Sequence, residues 1–203
     1  MRRINKLAPL PNFNGNNYNG DCFYWGKQKR DIYFHGKYKD IYEKTRCKIL
    51  IHEQNKLCGY TEIYINEPKK SHIDHYVKQE HNQHLKFDWD NYIVATKDDD
   101  FGARYKDNTY KIEKNEYSTI FNPISDDVET FFYYDEFGKI REDIGKIKKT
   151  IEVFNLNYKV LQERRKQLIT LIQSYENTNL TKDDIKSFLQ EYGFKSVVEQ
   201  YCI

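Results

Sequence analysis

The chain has 203 residues, a length at which one hydrophobic core suffices, so a single compact unit is expected. Its 33 basic residues nearly balance 31 acidic ones, giving a formal net charge of +2. That excludes the global basic field of a non-specific nucleic-acid coat protein and leaves any nucleic-acid contact to be local. No apolar run approaches the roughly 20 residues that cross a bilayer, and the opening MRRINKLAPLP lacks the apolar stretch of a signal peptide, so no membrane contact and a cytoplasmic location are expected.

Aromatics reach 16%, with 18 Tyr and 12 Phe, and can bury large areas despite a charged fraction of 32%. The abundance of Lys, Asn, Ile and Tyr reads as an A/T codon bias, so the tyrosines are not evidence of base stacking. Cys22, Cys47, Cys58 and Cys202 lack paired spacing and read as reduced thiols.

Residues 1–20 carry Pro9, Pro11, Gly15, Gly20 and six Asn, the composition of an extended arm. From Tyr38 to Asn55 there is neither Gly nor Pro, and Tyr38, Ile41, Tyr42, Thr45, Ile49 and His52 keep helical spacing. Two β-rich runs, Tyr60–Ile65 and His72–Val77, flank the turn-like Asn66–Lys70 and predict a hairpin. Tyr92–Ala95 predicts a buried strand, and Asp98, Asp99 and Asp100 then open a short helix whose positive end they oppose. Val128–Tyr134 is β-rich and Asp135–Gly138 a turn. Ile140, Ile144, Ile147, Ile151 and Phe154 form one helical apolar face, continued after a break at Asn155 by Leu161, Leu168 and Ile172. Thr181 caps a last helix over Lys182–Tyr192, closed by Gly193.

The segment that carries chemistry runs through Ile73-Asp74-His75, Trp89-Asp90-Asn91 and Asp100. A neutral imidazole takes a proton from water near pH 7, and carboxylates hold a hard divalent cation against the charge developing on a phosphodiester. Adjacent strand residues point to opposite faces, so Asp74 and His75 serve one site only if the strand twists or ends there.

These residues resemble the HNH endonucleases, whose core is a β-β-α metal module with Asp-His on the first strand, a central Asn at the second strand and a ligand on the helix. The closer likeness is to the HNH subunit of Septu-type anti-phage systems, the PtuB-like proteins also found with some retrons. MRRINKLAPLP resembles its opening arm and Leu57-Cys58-Gly59-Tyr60-Thr61-Glu62 its Cys-x-Tyr-Cys-Glu. Ile73-Asp74-His75-Tyr76 and Phe87-Asp88-Trp89-Asp90-Asn91-Tyr92 stand at its Asp-His and Trp-x-Asn motifs, and Thr150-Ile151, Leu156-Asn157, Leu161 and Arg164 resemble its C-terminal helix.

The resemblance implies that His75 is the general base and Asp74 a metal ligand. It implies that Asn91 bonds the far nitrogen of His75, and that Asp100, nine positions after Asn91, is the helix ligand for one Mg²⁺ or Mn²⁺. Lys106 is matched to the family's lysine, and with Arg104 it would hold phosphate. The partner implied is a larger ABC-like ATPase, PtuA-like, alongside a nucleic-acid substrate. The family's two Cys-x-x-Cys pairs are here Cys58 with Thr61 and Thr96 with Asp99, so no structural zinc is expected.

Other features have plainer readings. His72, His81 and His84 read as solvated histidines, and Lys146, Lys148, Lys149, Arg164, Arg165 and Lys166 as the wet face of the helical region. The expectation is an α+β protein with an arm and helix over residues 1–56, a ββα nuclease core over 57–112, and a β segment with a helical lobe over 113–203. DNA is the expected substrate; a structured RNA such as tRNA, or an HNH-derived subunit that binds without cutting, are the alternatives.

Overall fold

A computed structural model describes residues 1–10, 37–141, 145–175 and 178–202. Among the described residues the architecture is mixed: helices surround one two-stranded antiparallel sheet, compatible with an α+β class. Helix α1, Lys37–Lys48, continues as a wider turn over Ile49–Glu53, close to the span its periodicity predicts. It stops where Asn55 and Lys56 take φ of 51° and 61°.

The predicted hairpin is not formed. Tyr60–Ile65 is a tight loop closed by a single bridge, Leu57 to Tyr64, and by Cys58 N–H donating to the Ile63 carbonyl. Strand β1, Ser71–His75, pairs instead with β2, Tyr92–Thr96, in a register that sets Ile73 against Val94 and His75 against Tyr92. Burial explains the choice, because Tyr92, Ile93, Val94 and Ala95 are all at 0% exposure and their backbone groups must find partners inside the protein. On the other side of β2, the Gln54 carboxamide supplies them, donating to the Val94 carbonyl and accepting from the Val94 N–H, each at 2.8 Å. A buried glutamine thus stands in for a third strand.

After β2 the chain bends and enters α2 at Gly102, whose φ is +72°. Helix α2 covers Gly102–Arg104 and widens into a further turn over Tyr105–Tyr110, as the acidic run led us to expect, but Asp98–Asp100 lie in the bend before it. Val128–Tyr134 forms no strand; one bridge, Tyr134 to Ile140, closes the turn around Gly138.

From Gly145 the helical lobe follows its apolar period, whereas Ile140, expected on the same helical face, lies in the bridge to Tyr134. Helix α3, Gly145–Phe154, ends at Asn155 with φ of 48°, and α4 covers Lys159–Ser174. Ile147, Ile151, Phe154, Leu161, Leu168 and Ile172 are buried, whereas Ile144 lies outside the described residues. Arg165 corrects the wet-face reading: it is 2% exposed, and its guanidinium donates to the carbonyls of Gly138 and Leu156. It ties the turn at Gly138 to the lobe. Helix α5, Lys182–Phe188, carries the expected cap, with Thr181 and Asp184 exchanging hydrogen bonds.

The last segment folds back as α6, Lys195–Tyr201, which packs on α4. Gly193, at φ +80°, makes this return possible: a Cβ there would lie 2.6 Å from the Glu62 carbonyl oxygen and 2.8 Å from the Tyr64 nitrogen. Both are backbone atoms with little freedom to move. Gly193→Ala is therefore expected to destabilise the protein by about 1–3 kcal/mol, read as a lower urea midpoint. The start of the arm also packs inward, with Met1 and Ile4 buried and Ile4 N–H donating to the Pro123 carbonyl at 2.7 Å. Residues 11–20 of the expected arm lie outside the described part.

Candidate active site

The site is built on the end of β1. Alternation sends Asp74 and His75 to opposite faces of the strand, and their partners bear this out. Asp74 is 5% exposed, and its Oδ2 accepts from the Tyr60 hydroxyl at 2.5 Å and from Lys106 Nζ at 3.1 Å. Lys106 arrives from α2 with no exposed surface. Its ammonium also donates to the carbonyls of His75 and Tyr76, each at 3.1 Å, and lies 3.2 Å from Asp107 Oδ1. Burial works against this charge, but the carboxylates of Asp74 and Asp107 outweigh it and hold the ammonium above the ordinary lysine range.

On the other face, His75 is half-buried with its ring edge-on to Tyr92, centroids 4.9 Å apart. Its Nε2 lies 2.9 Å from the Lys86 carbonyl oxygen, which also accepts from the Tyr92 hydroxyl at 2.7 Å. A carbonyl only accepts, so Nε2 carries the hydrogen and Nδ1 keeps the lone pair. Gln79 Nε2 stands 3.3 Å from both ring nitrogens, Nδ1 and Nε2, so it lies against the ring and not on one lone pair. Burial lowers the pKa of His75, which keeps the ring neutral at physiological pH. A neutral, orientationally fixed imidazole is what a general base requires.

Asn91 does not make the expected contact with His75. Its carboxamide accepts from Val77 N–H at 2.8 Å and donates to the carbonyls of Val77 and Leu85 at 3.0 and 3.1 Å. It closes the loop after β1 and fixes the segment that presents the Lys86 carbonyl, so it orients His75 through the backbone. Asp100 also departs from expectation. It is exposed in the bend before α2, where Oδ2 accepts from the Tyr158 hydroxyl at 3.1 Å and its carbonyl accepts from Asn155. Neither partner is shared with Asp74. Lys106, expected on phosphate, is buried with Asp74, whereas Arg104 is 37% exposed at its side chain and pairs with Asp99 at 3.2 Å.

Two of the positions matched to zinc cysteines do meet, as Thr96 Oγ1 donates to Cys58 Sγ at 3.8 Å. Tyr60, Gln79 and the Lys86 carbonyl were missed by sequence reasoning. A backbone acceptor leaves no trace in residue identity; Gln79, four residues after His75, offered only spacing. His72, read as solvated, is half-buried on the face of Asp74, with a buried Nδ1 that has no hydrogen-bond partner.

The residues present do not fit the implied divalent ion. Asp74 Oδ2 is already bonded to an ammonium and a hydroxyl, Asp100 is turned toward the α3–α4 junction, and α2 contributes Gly102 and Ala103 one turn before Lys106, neither with a ligating side chain. Among the described residues, no three His, Cys, Asp or Glu side chains converge as a metal site.

Burial lowers the pKa of both His72 and His75. With folded values below the unfolded value of about 6.5, the unfolded chain binds more protons in the interval between them. The stability from keeping these rings neutral is thus present above about pH 6.5 and is lost as pH falls through the folded values. Urea midpoints are expected to drop on acidification below that point, and His72→Gln should flatten the slope.

The chain matches no family model and no curated protein. Among the described residues no helix is long and apolar enough to cross a membrane.

Proposed function

We propose that this chain is an HNH-type nuclease subunit that hydrolyses phosphodiesters in nucleic acid, DNA by preference, with His75 as general base. The observation that carries the reading is the Nε2 bond of His75 to the Lys86 carbonyl, which fixes the neutral tautomer with Nδ1 as its basic nitrogen. The order β1, β2, α2, with Asp-His closing the first strand, supports the likeness to a β-β-α module. In the proposed step a water at Nδ1 gives its proton to His75 and attacks phosphorus. The P–O bond to the leaving sugar oxygen breaks, and that oxygen takes a proton from solvent. Arg104, exposed on α2 and paired with Asp99, lies on the Asp74 side of β1 and is proposed to contact a backbone phosphate other than the one attacked.

A second reading is an HNH-derived subunit that binds without cutting. The burial of Asp74 against Lys106 favours it, because the carboxylate that serves metal chemistry in the family is committed to an internal pair. One experiment separates the two: purified protein with plasmid DNA and with tRNA, with Mn²⁺ or EDTA, beside His75→Ala. Nicking that His75→Ala abolishes supports the nuclease; tight binding with no cleavage under any condition supports the second reading.

The expected ABC-like ATPase belongs to the same proposal. An open groove of about 750 Å³ lined by Ile63, Tyr64, Leu168, Leu171, Tyr192 and Phe194 offers it apolar surface. Co-purification of full-length chain with the product of an adjacent ATPase gene, lost on Tyr192→Asp, is the expected result.

A further inference from the structure

The oxygen atoms around Lys106 have the make-up of a hard-cation site. Asp74 Oδ2, the carbonyls of His75 and Tyr76, and Asp107 Oδ1 converge at 3.1 to 3.2 Å on one point, drawn from β1, the turn after it and α2. Two carboxylates and two carbonyls are the ligand set a divalent ion takes from a protein. The point is filled by the Lys106 ammonium, whose three hydrogens are matched by Asp74, His75 and Tyr76.

We propose that Lys106 is the resident cation of this module, replacing a divalent ion, so that the site is assembled without metal and binds none at Asp74. The inference rests on the proposed likeness of β1–β2–α2 to a metal module, and it concerns cation binding alone, whether or not the chain cleaves. A dication entering beside Asp74 meets a buried positive charge at hydrogen-bond distance. In the family's geometry the same carboxylate faces an ion; here α2 delivers the counter-charge covalently. Two consequences follow: the orientation of the β1 end is insensitive to chelators, and any turnover by His75 persists in EDTA.

Removing the ammonium while leaving its oxygen shell should turn the site into a metal site. Mn²⁺ is the probe, read by electron paramagnetic resonance and by thermal unfolding, on the full chain. Wild type is expected to bind no Mn²⁺ that depends on Asp74 up to about 1 mM, the weak end of carboxylate sites. Its unfolding midpoint should be the same in Mn²⁺ and in EDTA. Lys106→Ala is expected to gain one bound Mn²⁺ per chain and to have its lowered midpoint raised by Mn²⁺.

One Mn²⁺ per wild-type chain at or below roughly 0.1 mM, lost in Asp74→Asn, overturns the proposal. So does a folded Lys106→Ala that gains no Mn²⁺. If Lys106→Ala is unfolded in both Mn²⁺ and EDTA, the wild-type and Asp74→Asn titrations decide alone. None of these readouts involves cleavage, so an inactive protein that passes them leaves the cation assignment standing while the nuclease reading falls.

Discussion

His75→Ala is expected to lower phosphodiester cleavage by about 10²–10⁴-fold while leaving nucleic-acid affinity within a factor of a few, because a general base acts in the transition state. The side chain is half-buried and its Nε2 bond ends on a backbone carbonyl that the Tyr92 hydroxyl still satisfies after truncation. The fold should therefore survive. Single-turnover cleavage and a binding isotherm on the same preparation check both halves, and equal rates for variant and wild type would remove His75 from the mechanism. The pH profile adds a second handle. Since burial holds the ring below its ordinary value, the acid limb of cleavage should lie below about pH 6.5. Gln79→Ala should leave that limb in place, because burial and not the amide lowers the ring's value.

Lys106→Met is expected to be the most destabilising single change in the molecule. It would leave the Asp74 carboxylate at 5% exposure with a hydroxyl as its remaining partner, and breaking one side of a buried ion pair costs about 3–5 kcal/mol. The loss is large against a typical total stability of about 5–15 kcal/mol. Asp74→Asn in the same background should recover much of it, since removing both charges relieves the uncompensated one. Urea unfolding of the four proteins in that cycle gives the coupling directly. Additive losses would mean that Asp74 and Lys106 do not act as a pair.

The local elements were readable because their causes are local. The helical period of Ile147, Ile151 and Phe154 placed α3, the positive-φ residue Asn155 broke it, and Thr181 with Asp184 capped α5. Tyr92–Ala95 read as a buried strand because the run is apolar and β-branched, and all four residues are at 0% exposure. Pairing was not readable. Tyr60–Ile65 has the composition of a strand as much as Tyr92–Ala95 does, and which of them joins β1 depends on what fills the space beside Val94. That space is filled by Gln54, a residue with no pattern to announce it.

The chemistry divides along the same line. Residue identity alone supplied an imidazole next to a carboxylate at Asp74-His75, with a strand alternation that separates them. Tertiary structure decided what each of them meets. His75 is oriented by a backbone carbonyl, which is present at every residue and so carries no signal in the sequence. Asn91 acts on the loop rather than on the ring. Lys106 and Arg104 look alike as basic residues two positions apart, yet on α2 one turns into the module at 0% exposure and the other stays at the surface. Burial of a charge is settled by whether oxygen atoms from distant segments converge to receive it, and that convergence belongs to the folded chain.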